Sequence, residues 1–168
     1  MSNPSKSQHE VERGGVAPRG AAKTRILILG GGFAGVEAAR YLDRTAAKRA
    51  DVEVTLVSRE NFSLFTPMPH EVVASDLEPA DICTPLRKLL RRVTVLTGEV
   101  TTIDVCSRRV TLAYGLRELK REVPFDYLVL ALGAETNYLG IPGVADHALG
   151  IKTVSESDFG RLLPSARL

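Results

Sequence analysis

Ile26-Leu27-Ile28-Leu29-Gly30-Gly31-Gly32-Phe33-Ala34-Gly35-Val36-Glu37-Ala38-Ala39 runs from a strand-length aliphatic segment, through glycines, into an alanine-rich segment of helical character. At fixed offsets it spells G-x-G-x-x-G (Gly30, Gly32, Gly35), followed four residues later by small Ala39. Each position has a physical task. Gly30 permits a tight strand-to-helix turn, Gly32 lets backbone approach a diphosphate, and Gly35 with Ala39 lets the helix lie close to the strand. An anion at that turn meets unpaired N–H groups at the positive end of the helix dipole. A preceding strand and a following helix are the context this spacing requires. The plain alternative is a glycine-rich turn with no ligand.

Outward from this turn, the first strand is Arg25–Leu29 and the first helix runs from Ala34 to Lys48, with Val36, Ala39, Leu42 and Ala46 near helical spacing. Val52–Val57 is aliphatic or β-branched, as suits a strand covered on both faces. The unit is β-α-β, with a right-handed crossover expected. Residues 59–81 read as an irregular covering loop, with a short helix from His70. Thr84-Pro85 reads as a hydroxyl N-cap with proline at the first helical position, opening a helix to Arg92 that turns Leu86, Leu89 and Leu90 inward. Val93–Leu96 is a third parallel-type strand. From Gly98 to Val123 the pattern alternates around a turn at Cys106-Ser107-Arg108, which predicts an inserted antiparallel meander. Tyr127–Leu132 has the composition of a buried strand and ends on Gly133, and Gly140-Ile141-Pro142-Gly143 is a turn. The fold class is therefore α/β, a Rossmann-like parallel sheet with an antiparallel β-meander. It occupies residues 24–157, between a polar, disordered tail (residues 1–23) and an irregular C-terminal tail (residues 158–168).

Composition narrows the function classes. The chain has 168 residues, 44% hydrophobic and 25% charged, which suits one soluble domain with a real core. A net charge of +2 gives no reason to expect a nucleic-acid partner. No apolar run reaches membrane-spanning length, and the first 23 residues lack the apolar core of a signal peptide. The two cysteines, Cys83 and Cys106, are not closely spaced and are expected as reduced core thiols. With three scattered histidines, no metal site is expected.

Two buried strands end on glycine about a hundred residues apart, at Gly30 and Gly133. In a parallel sheet both ends reach one edge, so a single long ligand, a dinucleotide, can touch both. Together with Phe65-Thr66-Pro67-Met68-Pro69-His70-Glu71-Val72, Ala131-Leu132-Gly133-Ala134-Glu135-Thr136-Asn137-Tyr138 and Gly140-Ile141-Pro142-Gly143, the glycine turn resembles the FAD-binding half of type II NADH dehydrogenases, within the two-dinucleotide-binding FAD/NAD(P) oxidoreductases. The resemblance runs from Arg25 to Ser155. It implies hydride transfer from NADH to FAD, with electrons passed on to a quinone or other acceptor. It also implies a cytoplasmic location, peripheral at the inner face of the membrane in the full-length family. By the same resemblance Gly30, Gly32, Phe33, Ala34 and Gly35 seat the FAD diphosphate, Ser58 and Arg59 lie at the adenosine ribose, and Val100 offers its backbone to the adenine. Thr66 and Pro67 line the flavin side, and Leu132 and Gly133 close over the nucleotide. No catalytic residue is assigned.

The chain departs from the pattern in two ways. The usual ribose-binding acid is replaced by Ser58 followed by Arg59, a pair that also suits a 2′-phosphate and keeps an NADP-binding alternative open. No Tyr-x-x-x-Lys pair supports a short-chain reductase, and no close cysteine pair supports a dithiol reductase. The family's second dinucleotide domain, its returning strand and its amphipathic C-terminal region have no counterpart. The chain therefore reads as truncated, and a non-catalytic nucleotide-binding fragment that self-associates or needs a missing C-terminal half is the second hypothesis. The Arg87-Lys88-Arg91-Arg92 cluster reads as a solvated helix face and His70-Glu71 as local capping. Phe62, Phe65 and Tyr138 either pack their loop or stack near the flavin.

Overall fold

The computed structural model describes residues 23–115, 119–148, 150, 152 and 153. The tails expected at residues 1–23 and 158–168 lie outside the described residues, apart from Lys23. The elements follow in chain order as β1 (Thr24–Leu29), α1 (Phe33–Arg44), β2 (Val52–Ser58), β3 (Phe62–Leu64), α2 (Pro69–Val73), β4 (Cys83–Pro85), α3 (Leu86–Leu89), β5 (Thr94–Thr97), β6 (Glu99–Asp104), β7 (Arg109–Tyr114), β8 (Leu119–Pro124), β9 (Tyr127–Leu130) and α4 (Val144–His147).

β1, β2, β5 and β9 form a parallel sheet in the order β5-β2-β1-β9. Successive side chains of a strand point to opposite faces, and β1 uses both. Ile28, with Val54 and Leu56 of β2, packs under Val36 and Ala39 of α1 and Leu86 of α3. Leu27 and Leu29, with Val57, pack on the other face against Val110 and Leu112 of β7 and Phe125. The molecule therefore has three layers: helices, parallel sheet, and the antiparallel sheet β6-β7-β8. Burying β1 on both sides explains its uninterrupted aliphatic run.

Several local expectations are corrected. The first helix ends at Arg44, and a separate 3-10 turn covers Ala46–Lys48. The segment after Arg59 is not wholly irregular: β3 pairs antiparallel with β4, and α2 begins one residue before His70. Thr84 and Pro85 belong to β4, so Thr84 caps no helix. Thr84 pairs with Ser63, and the Leu86 N–H donates to the Asn61 carbonyl at 2.9 Å, which commits this backbone to the hairpin. The helix behind it is a single turn that stops before Arg91 and Arg92.

Tyr127–Leu132 is not buried throughout. The strand stops at Leu130, and Tyr127, Leu130 and Leu132 are 65%, 63% and 54% exposed. Among the described residues β9 pairs only with β1, so it forms the sheet edge. Cys106 is exposed, because it lies in the β6–β7 turn, while Cys83 is half-buried in β4. No helix among the described residues is long and apolar enough to cross a membrane.

Candidate functional site: the turn between β1 and α1

From β1 the chain builds β2 and β5 to one side and later places β9 on the other. Strand order reverses between β1 and β9, and in such sheets the crevice beyond the carboxyl ends of these strands is where ligands bind. The glycine turn stands there. Gly30 has φ +113°, and a Cβ on it would lie 2.1 Å from the Ala131 carbonyl oxygen. The exits of β1 and β9 therefore touch through backbone alone. The Ala131 N–H donates to the Leu29 carbonyl and ties these exits together, and the Gly30 N–H donates to the Val57 carbonyl and ties the turn to β2, both at 2.8 Å.

Gly35 lets α1 descend onto this turn, since a Cβ there would stand 1.8 Å from the Gly30 carbonyl oxygen. One turn later Ala39 is fully buried. Gly32 differs from both. It is exposed, has φ −78° and ψ −173°, and a Cβ on it would meet nothing within 4 Å. It is also the N-cap of α1 and supplies no side-chain cap. The first N–H groups of a helix have no intrahelical partner, so those of Phe33 and Ala34 are available to an anion. The open space over Gly32 and the donors around it fit a diphosphate.

The other expected site residues gather around this turn to different degrees. Ser58 ends β2 and is only 7% exposed, with its side chain directly beneath Gly31. Arg59 follows it, exposed, with no ion pair among the described residues. The Gly98 N–H donates to the Ser58 carbonyl at 2.9 Å, which brings the start of β6 to the same edge. Val100 sits there, half-buried on the second core, at an irregularity in the β6–β7 pairing. Thr66 and Pro67 are exposed between β3 and α2. Their neighbour Phe65 meets Phe33 edge to face, ring centres 5.8 Å apart, which ties this loop to the start of α1. A cleft of about 200 Å³ opens there, walled by Phe33, Val36, Leu64, Phe65 and Leu89. Leu132 and Gly133 follow Ala131 and are exposed, and Gly133 has φ +78°. Of the aromatics left open, Phe65 packs its loop onto α1, and Phe62 lies half-buried in β3.

Sequence reasoning missed Gly31 and Ala131. Gly31 occupies an unspecified position of the motif, yet a Cβ on it would lie 2.2 Å from Ser58 Oγ. Ala131 acts through its carbonyl, which no side-chain pattern reveals. Among the described residues no cluster of His, Cys, Asp and Glu could hold a metal. The Cys83 thiol, the one cysteine near this edge, is pushed up by burial and then by Glu60, away from the thiolate.

Residues 24–164 match the pyridine nucleotide-disulphide oxidoreductase family. The chain is 38% identical over 136 residues to the type II NADH:quinone oxidoreductase NdhA of Mycobacterium tuberculosis, covering 79% of this chain and 27% of that protein. It is 33% identical over 139 residues to the demethylphylloquinone reductase NdbB of Synechocystis, covering 81% and 34%. The chain thus spans about a third or less of these relatives' lengths. NDH2 from Plasmodium falciparum, solved in complex with NADH, superposes with a TM-score of 0.73 at 27% identity, covering 83% of this chain and 28% of that one. With its strand–glycine–helix turn, its parallel sheet and its meander, this chain belongs to the pyridine nucleotide-disulphide oxidoreductase family.

Proposed function

We propose that this chain is the FAD-binding part of an NADH:quinone-type oxidoreductase. The observation that carries the reading is the turn itself: backbone-tight at Gly30 and Gly35, open at Gly32, and set where strand order reverses. Gly30, Gly32, Phe33, Ala34 and Gly35 would hold the FAD diphosphate through backbone N–H groups. Arg59 and the Val100 backbone would lie at the adenosine end, and Thr66, Pro67, Leu132 and Gly133 toward the flavin. Bound FAD would supply acceptance of a hydride and release of electrons to an acceptor. The chain's own residues orient that group and keep it at the sheet edge. The relatives' names support NADH as donor and a quinone as acceptor.

Adding FAD to the purified chain and recording its visible spectrum tests this reading. Flavin bands that stay with the protein through gel filtration, near one per chain, are expected. A protein that emerges colourless, with FAD recovered in the small-molecule fraction, rejects the assignment. Bleaching by NADH would show that the donor site also lies within these residues.

The 2′-phosphate alternative keeps one observation in its favour. Ser58 stands where the fold usually places the ribose-binding acid and is turned under the loop, and Arg59 stands exposed beside it. Competition of NADP against FAD decides between the two.

A further inference from the structure

We propose that Gly31 and Ser58 form one positioning unit that sets the height of the diphosphate loop above the end of β2. Ser58 thereby restricts residue 31 to glycine, its own side chain filling the place of a Cβ there, and is not a ligand of the ribose. The inference rests on the FAD-seat reading above.

The steric relation is asymmetric. A Cβ on Gly31 would lie 2.2 Å from Ser58 Oγ and 2.7 Å from Ser58 Cβ, while its third neighbour, Leu86 Cδ1, is an ordinary contact at 3.5 Å. The hydroxyl oxygen can swing away by a rotamer change. The Cβ cannot, because it moves only with the backbone, and that backbone is held on both sides. The Ser58 carbonyl accepts the Gly98 N–H, the preceding Val57 carbonyl accepts the Gly30 N–H, and Ser58 pairs in register with Thr97 of β5.

The loop is also blocked on its other flank, where Gly30 abuts the Ala131 carbonyl. A side chain at residue 31 therefore lifts the loop, and the donor groups of Phe33 and Ala34 move with it. The burial of Ser58 fits the same role: at 7% exposure it is a floor beneath the loop and not a group presented to solvent.

The test uses the full chain with Gly31→Ala, Ser58→Ala, Ser58→Gly and the two double variants, reading FAD affinity by quenching of flavin fluorescence. Gly31→Ala should weaken FAD by at least about tenfold, the range expected for overpacking a tight contact. Ser58→Ala and Ser58→Gly alone should stay within about threefold of wild type. The doubles should then separate. Gly31→Ala with Ser58→Ala stays weak because the Cβ remains, and Gly31→Ala with Ser58→Gly recovers to within about threefold.

Tenfold loss in Ser58→Gly alone would make Ser58 a ribose ligand and overturn the proposal. Wild-type affinity in Gly31→Ala, or equal rescue by both doubles, overturns it as well. If Gly31→Ala does not fold, a folded, FAD-binding Gly31→Ala/Ser58→Gly chain supports the unit, and an unfolded or non-binding one refutes it. If wild type takes up no FAD, the seat reading fails separately. Amide exchange of residues 30–34 then decides: faster exchange in Gly31→Ala and restored protection only with Ser58→Gly support the unit, and no change overturns it.

Discussion

At the scale of single residues, the glycines of one motif do two different jobs. Gly30 and Gly35 are there because backbone oxygens occupy the places of their side chains, and only Gly32 faces open space. Its φ of −78° is a conformation any residue adopts, so a substitution here carries no backbone strain. Gly32→Val should therefore cost only about 1 kcal/mol of stability, the penalty of valine at the N-cap of α1. It should nonetheless weaken FAD at least about 100-fold, roughly 2.7 kcal/mol, because a branched side chain stands where the diphosphate goes. Thermal unfolding and a fluorescence titration on the same sample check both halves, and retained affinity would move the seat elsewhere. Arg59 gives a second test. If the ligand is FAD, Arg59→Ala should cost only about fivefold, the worth of an exposed ion pair. If the ligand is NADP, loss of the Arg59 cation at the end of β2 should abolish the preference for NADP over NAD.

Between elements, two aspartates hold parts of the sheet that glycine geometry does not reach. Asp43, buried near the end of α1, accepts the N–H groups of Arg91, Arg92 and Val93 on one oxygen at 2.9, 2.6 and 3.1 Å. Burial pushes its pKa up, but the backbone bonds from Arg92, Arg91 and Val93 outweigh that and hold it below the usual carboxylate range. Asp43→Ala leaves those donors without an acceptor and should destabilise the chain by about 1–3 kcal/mol, read by urea unfolding. Asp126 joins the start of β1 to the turn before β9. It accepts the Arg25 backbone N–H at 2.7 Å and both ends of its guanidinium at 3.1 and 2.9 Å. The side-chain bonds to Arg25 lower its pKa from 3.8 to about 2. A depressed folded pKa contributes stability that is complete above the unfolded value and lost as pH falls through the folded one. Wild type should therefore exceed Asp126→Asn in stability at neutral pH. That advantage should shrink between 3.8 and about 2 and vanish below, as followed by unfolding at stepped pH. A pH-independent difference would mean that the pair acts through shape alone.

For the whole molecule, the feature that bears on solution behaviour is the open sheet edge. β9 offers one unpaired side among the described residues, with exposed Tyr127 and Leu130 on the strand and Leu132, Leu139 and Ile141 close behind it. Open edges flanked by apolar side chains recruit other strands. The chain as given should self-associate, seen as a sedimentation coefficient that rises with concentration. Leu130→Lys, a charge placed on that edge, should shift it toward monomer without moving the unfolding midpoint. A wild-type chain that sediments as one species at every concentration would show that the edge is harmless.

What could be read from sequence was local or periodic. The glycine turn, the aliphatic runs of β1 and β2 and the alternation of the meander each encode their geometry within a dozen residues, so the α/β class, the strand–glycine–helix turn and the meander were legible. Thr84 was misread because its partner, Ser63, lies across a hairpin, and pairing with it overrides a capping preference. The exposure of β9 depends on what lies beside it, which composition does not record. Gly31 looked like a free position of the motif until β2 brought Ser58 beneath it, and the backbone that Asp43 holds lies forty-eight residues further along the chain, beyond any local pattern. Periodicity and turn chemistry, written in neighbouring residues, are what the sequence by itself determined. Clearance, burial and charge pairing come from residues far apart in the chain, and only the tertiary structure decided them.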